Sequence, residues 1–214
     1  MSRRPAIPQL EWGKSGGVLM KLRVFAAVVA SALFTTNALA QTIFSAKLAG
    51  LRETPIVISG AAGHAKITIS HDEKSIDYEL TYNGLEGSTG TGRTVTQAHI
   101  HIGRPTVVGG VSVFFCGGGN TEATKKLCPA SAGPGTPNDA VTGTWRAADI
   151  TGPASQGVEA NNPNGEDAFA RLVGAIKAGL SYANVHSSRS PGGEIRGQLK
   201  RERDNDHDND DDDR

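Results

Sequence analysis

Ser75-Ile-Asp-Tyr-Glu-Leu-Thr-Tyr-Asn83 alternates without a break. Ile76, Tyr78, Leu80 and Tyr82 point one way; Asp77, Glu79 and Thr81 point the other. Successive side chains leave opposite faces of an extended chain, so the run predicts a strand with one buried and one wet face. That is the habit of antiparallel sheets. The same period recurs on either side. In Ile43–Leu48 the residues Phe44, Ala46 and Leu48 share a face, and in His64–Ile69 it is Ala65, Ile67 and Ile69. Further strands are expected at Val95–Ile102, Val111–Cys116, Ala140–Arg146, Leu180–His186 and Glu194–Lys200. Turn signals separate them: His71-Asp-Glu-Lys74, Asn83-Gly84 and Pro191-Gly-Gly193. About eight short strands with Gly-rich connections predict an all-β fold, an antiparallel Greek-key sandwich or barrel.

One segment has a different period. Phe169, Leu172, Val173 and Ile176 recur at i, i+3, i+4 and i+7, so Glu166–Ala178 is expected to be a short amphipathic helix covering one end or open edge of the barrel. Glu166 and Asp167 start it, Lys177 lies near its end and Gly179 follows as a C-cap. Two long loops precede it in the chain, Gly117–Asp139 and Asp149–Gly165. Such lengths point to functional or mobile segments.

The ends of the chain read differently from its body. Met20-Lys-Leu-Arg23, the apolar run Val24–Phe34 and Ala38-Leu-Ala40 form the three-part layout of a secretory signal peptide, with Gln41 as the first mature residue. The signal segment is read as residues 1–40, with Met20 as the true start and residues 1–19 as a start-site artefact or a long n-region. The apolar run is shorter than the roughly 20 residues a spanning helix needs, so no membrane span is expected after cleavage. Residues 201–214, with eight acids and three arginines, predict a disordered acidic tail. The body 41–200 carries 14 Lys+Arg against 13 Asp+Glu, which gives no electrostatic footing for nucleic acid. The expected location is secreted or periplasmic, and there the two cysteines, Cys116 and Cys128, are expected to form a disulfide.

Few motifs carry chemistry. No Gly-x-Ser-x-Gly elbow or His-Glu-x-x-His helix occurs in the chain, and Gly117-Gly-Gly119 lacks the Lys-Ser/Thr of a phosphate loop. Gly87-Ser-Thr-Gly-Thr-Gly-Arg93 lies between strands without a following helix and reads as a long hairpin loop. The histidines are more informative. His99 and His101 leave the same face of one strand, and His186 lies near the end of another. Three imidazoles converging on one ion at about 2.0–2.1 Å would make a copper or zinc site, with Asn184, Glu194 and Arg196 behind the ligands. The blander reading is structural: Asn184 and the Glu194/Arg196 pair satisfy the rings without an ion. At this level the structural reading is preferred.

Ala98-His-Ile-His-Ile-Gly103 and Tyr182-Ala-Asn-Val-His-Ser-Ser-Arg-Ser-Pro-Gly-Gly-Glu-Ile-Arg-Gly-Gln-Leu199 together resemble the signature of the CHRD (chordin-type) domain. The likeness runs from about Thr42 to Leu199 and takes in Phe44–Gly50, Glu53-Thr-Pro55, Gly63-His-Ala65, Ile76–Leu80 and Asn83-Gly-Leu85. It departs after Gly103, at Arg104-Pro105 and the Cys-bounded insertion. The resemblance implies a secreted all-β module without an established catalytic activity, of the kind found in small secreted bacterial proteins. It carries over no catalytic residue and no cofactor. The expected function is an extracytoplasmic structural or binding module with an unidentified protein or surface ligand as partner. The alternative is a metal-binding protein using His99, His101 and His186. A His-x-His strand on such a barrel also resembles Cu/Zn superoxide dismutase, although the flanking metal-loop histidines and aspartate of that enzyme are not apparent.

Overall fold

Every expected strand forms. The computed structural model describes residues 41–86, 95–136, 140–160 and 167–202. The signal segment, the Gly87–Arg93 loop, the Asn161–Gly165 run and the acidic run from Asp204 lie outside the described residues. The strands are β1 (Thr42–Ala49), β2 (Ala62–Ile69), β3 (Ile76–Asn83), β4 (Val95–Ile102), β5 (Gly110–Cys116), β6 (Val141–Trp145), β7 (Ser181–Ser187), β8 (Ile195–Gln198) and β9 (Lys200–Arg201). They form one antiparallel sheet in the order β5-β4-β7-β8-β1-β2-β3-β6, with β9 paired to β1. The last pairing passes residue 200, because Arg201 lies opposite Phe44 and Glu202 N–H donates to Ile43 O.

The alternation that predicted β1, β2 and β3 is the alternation that builds the core. Phe44, Ala46, Leu48, Ala65, Ile67, Ile69, Ile76, Tyr78, Leu80 and Tyr82 all face inward and are buried. The sheet curls until its two end strands meet, and side chains and loop backbone bridge the seam. Trp145 Nε1 at the end of β6 donates to Phe114 O on β5 at 2.7 Å, and Tyr78 OH donates to Phe115 O at 3.3 Å. Thr151 N–H donates to Ser112 O at 2.8 Å, carrying the closure past the end of β6. Tyr78 stacks on Trp145 at 4.3 Å and meets Phe115 edge-on at 5.3 Å; such pairs each add about 0.5–1.5 kcal/mol beyond area burial. The result is a nearly closed barrel.

The long helix α2 spans Ala168–Lys177. Asp167 caps it by accepting from Phe169 N–H, and Gly179, at φ 70°, lets the chain leave in a left-handed turn. Its apolar stripe, Phe169, Leu172, Val173 and Ile176, belongs to the barrel core. A single turn, α1 (Glu122–Lys125), lies in the loop after β5, where no helix was expected. The expected Cys116–Cys128 disulfide is present and ties this loop to the end of β5.

β4 and β7 depart from the one-wet-face pattern. All seven residues of β7 are buried, and in β4 so are Ala98 through His101. Ala98, Ile100, Ala183, Val185 and Ile195 fill the barrel interior. The opposite faces carry His99, His101, Tyr182, Asn184, His186 and Arg196, and these are roofed by the segments at 50–61, 103–110 and 188–193. Among the described residues, that roofed outer face gathers the buried Glu53, His99, His101, Asn184, His186, Glu194 and Arg196.

Candidate functional site

The register of β4 against β7 sets the histidines beside one another. His99 lies opposite Asn184, His101 opposite Tyr182 and Gln97 opposite His186, which puts His186 one diagonal step from His99. The ring centroids of His99 and His101 are 4.5 Å apart, as are those of His99 and His186. One ring nitrogen from each of the three lies within 4.8 Å of the others. His99 is 2%, His101 8% and His186 6% exposed, so water reaches the group only at its margin.

Hydrogen bonds fix which nitrogens face the cluster. His101 Nδ1–H donates to Gly109 O and His186 Nδ1–H to Pro191 O, each at 2.9 Å. A carbonyl can only accept, so each of these rings, when neutral, holds a lone pair on Nε2. His101 Nε2, His186 Nε2 and His99 Nδ1 are buried without a hydrogen-bond partner among the described residues. Burial is the main reason that His99 is held down to about 2 and His101 to about 4, with charge on neighbouring rings adding to it. His186 is lowered by burial as well. All three are therefore neutral imidazoles at neutral pH.

Aromatic groups line the cluster. Phe114 meets the His99 ring edge-on at 5.1 Å. Tyr182 stacks nearly flat on His101, 4.6 Å away and tilted by 8°, and its OH accepts from Gly109 N–H. The same tyrosine ring carries the Arg196 guanidinium, 3.4 Å from its centroid. Arg196 in turn donates to Arg104 O and Val107 O, at 2.9 and 3.0 Å, so it pins down the loop that also supplies Gly109.

The polar residues expected to satisfy the rings bond elsewhere. Asn184 Nδ2 donates to the Glu53 carboxylate and to Ile195 O. Glu194 accepts from Ser59 Oγ at 2.6 Å, from Ser187 Oγ and from Glu86 N–H. The reason lies in the roof. The loop after β1 brings Glu53 and Ser59 onto the sheet, and they claim the amide and the carboxylate first. Burial raises the Glu53 pKa, against the opposing pull of Thr54 N–H, Asn184 and Arg196. Glu53, Ser59, Tyr182 and Phe114 were not singled out in the sequence as partners of this face. The only signal for Glu53 was its place in the Glu53-Thr-Pro55 element.

Chemically the arrangement is a cluster of neutral nitrogen donors with two rings oriented from behind by backbone carbonyls. Outer-shell hydrogen bonds of this kind orient histidine ligands in metal sites. An ion bound at about 2.0–2.1 Å holds its nitrogens about 3.3–3.6 Å apart in tetrahedral or trigonal geometry, so the rings must close by up to about 1.5 Å from their present spacing. Among the described residues no Asp, Glu or Cys joins the cluster.

Compared with known proteins, residues 44–199 match the family model described as the CHRD domain. No curated protein and no solved structure matches the chain.

Proposed function

The chain belongs to the CHRD-domain family, and from that premise we propose an extracytoplasmic binding module whose ligand is a transition-metal ion held by His99, His101 and His186. One observation carries the reading. Three buried imidazoles each place a ring nitrogen within 4.8 Å of the others, and each ring has a buried nitrogen without a hydrogen-bond partner among the described residues. A buried polar atom left unpaired costs about 1–3 kcal/mol, and three at one place are hard to reconcile with a purely structural role. An ion satisfies all three at once.

His99, His101 and His186 would hold the ion through neutral nitrogens. Gly109 O and Pro191 O keep two rings aimed, while Tyr182 and Phe114 restrict water. A bound copper or zinc ion would supply charge and, for copper, an electron-transfer centre. The reading stops at binding. The export layout at residues 20–40 and the Cys116–Cys128 bond support a place outside the cytoplasm. On this reading the mature chain begins at Gln41, and N-terminal sequencing that finds Met20 retained would overturn the export part.

The metal part is tested by elemental analysis of full-length mature protein purified from its native compartment without chelators. About one equivalent of copper or zinc is expected, and His101→Ala or His186→Ala should remove it while circular dichroism stays that of a folded β-protein. A chelator should lower the melting temperature of the wild type alone. Wild type that stays metal-free after isolation and after titration with both metals would return the histidines to a structural role.

A further inference from the structure

We infer that the ion matched to this site is monovalent copper, bound by three nitrogens in a trigonal arrangement. The inference rests on the metal reading above and adds the charge and the coordination number.

The first argument is coordination. The cluster offers three donors, and among the described residues no fourth His, Cys, Asp or Glu joins them. Protein-bound Zn(II) is almost always four-coordinate, and Cu(II) favours tetragonal sites. Either would have to draw the remaining donors from water, at rings only 2–8% exposed. Cu(I) has a filled d shell and is content with three ligands. Imidazole suits copper in either oxidation state, so donor type alone does not decide the matter.

The second argument is charge. All three donors are neutral, so the ion keeps its full charge in a buried place. The fixed charges nearby are few. Arg196 lies across the Tyr182 ring from which His101 is stacked, and the buried carboxylates are Glu53, behind Asn184, and Glu194, behind Ser187. Both carboxylates are already committed to Asn184, Ser59 and Ser187 rather than aimed at the rings. Together the three groups sum to at most one negative charge, which balances a monovalent ion and leaves a divalent one with a surplus. An extra unit charge held without compensation in a low-dielectric site weakens binding by roughly a thousandfold.

The third argument is the wall. Phe114 packs T-shaped against His99, and the Tyr182 ring lies flat against His101. Neither offers the hydrogen-bonded water shell that a divalent ion keeps when its donors are few.

The test uses the mature protein with its disulfide intact. Cu(I) is titrated anaerobically against bicinchoninate, and Zn(II) and Cu(II) against chelators of known affinity. One equivalent of Cu(I) is expected, bound at least about a hundredfold more tightly than either divalent ion, with X-ray absorption showing three nitrogen scatterers. His186→Ala should lose that site. Because His99→Ala sits at the centre and can fail to fold, His101→Gln is the second variant; loss of Cu(I) in a folded His101→Gln protein supports the assignment. Zn(II) or Cu(II) bound as tightly as Cu(I), still dependent on His101 and His186, would overturn the monovalent assignment and leave the metal reading standing. A four-coordinate absorption spectrum would do the same. No binding of any of the three ions would remove both.

Discussion

At the scale of single residues, the family signature divides into two jobs. His99, His101 and His186 turn nitrogens toward one another, while Asn184, Glu194 and Arg196 hold the roof above them. Gly193 shows how tight that roof is. Its φ is 120°, and a Cβ there would lie 2.6 Å from Glu53 Oε1 and 2.8 Å from Asn184 Nδ2. Gly193→Ala therefore combines backbone strain with a clash against a buried pair, and it should cost about 2–4 kcal/mol in urea denaturation. Asn184→Ala leaves the Glu53 carboxyl without its buried donor and should cost about 1–3 kcal/mol. Neither change should alter metal stoichiometry in protein that remains folded; loss of metal in a folded Asn184→Ala variant would make Asn184 part of the ion site. The histidine positions were legible because the same-face spacing of His99 and His101 follows from the period of a strand. Their nitrogens' lack of partners was not legible. It depends on Glu53 reaching Asn184 across 131 residues and Ser59 reaching Glu194 across 135, and no local pattern encodes such contacts.

At the scale of elements, alternation and period were enough to place β1 to β8 and the helix α2, because these contribute buried residues to the core at the matching repeat; the short β9, whose two residues are exposed and pair with β1, was not placed as a strand. β4 and β7 were placed correctly, yet alternation says nothing about what covers an outer face. Their sequences hint at it only by putting Ala, Ile and Val on one side and His, Tyr and Asn on the other. The turn α1 was missed because four residues are too few to show a helical period; a reciprocal Thr121–Thr124 capping pair sets it instead. The disulfide closes this same loop. Replacing both cysteines, Cys116→Ala with Cys128→Ala, should cost on the order of 3 kcal/mol by the chain-entropy argument. The loss should be local: amide exchange should quicken across 117–128 while β1, β2 and β3 keep their protection. The core of the barrel supplies the reason, since Cys116 is only one of its many buried members. Uniformly faster exchange across the barrel would show instead that the bond holds the β5–β6 seam.

At the scale of the whole molecule, burying three imidazoles links the stability of the fold to pH, and the sign follows from their direction. His99, His101 and His186 all have folded-state pKa values below the ordinary 6.5, chiefly through burial. The unfolded chain therefore takes up protons first as the pH falls. The stabilisation is fully present above about 6.5 and is lost on acidification toward the folded values, about 4 for His101. Glu53 works in the opposite sense. Its raised pKa means that the folded state keeps its proton longer, so acidification through the range above 4.5 favours the fold. Three rings against one carboxyl leave a net loss. Metal-free protein should thus show a urea midpoint that falls between pH of about 6.5 and about 4, each ring contributing a slope of up to about 1.4 kcal/mol per pH unit. His101→Gln removes one of those titrations, so its profile should be flatter over the same range even if its midpoint at neutral pH is lower. Parallel profiles for the two proteins would mean that His101 titrates in the fold as it does in the unfolded chain, so that burial does not hold its pKa down and the acid sensitivity lies with His99 and His186.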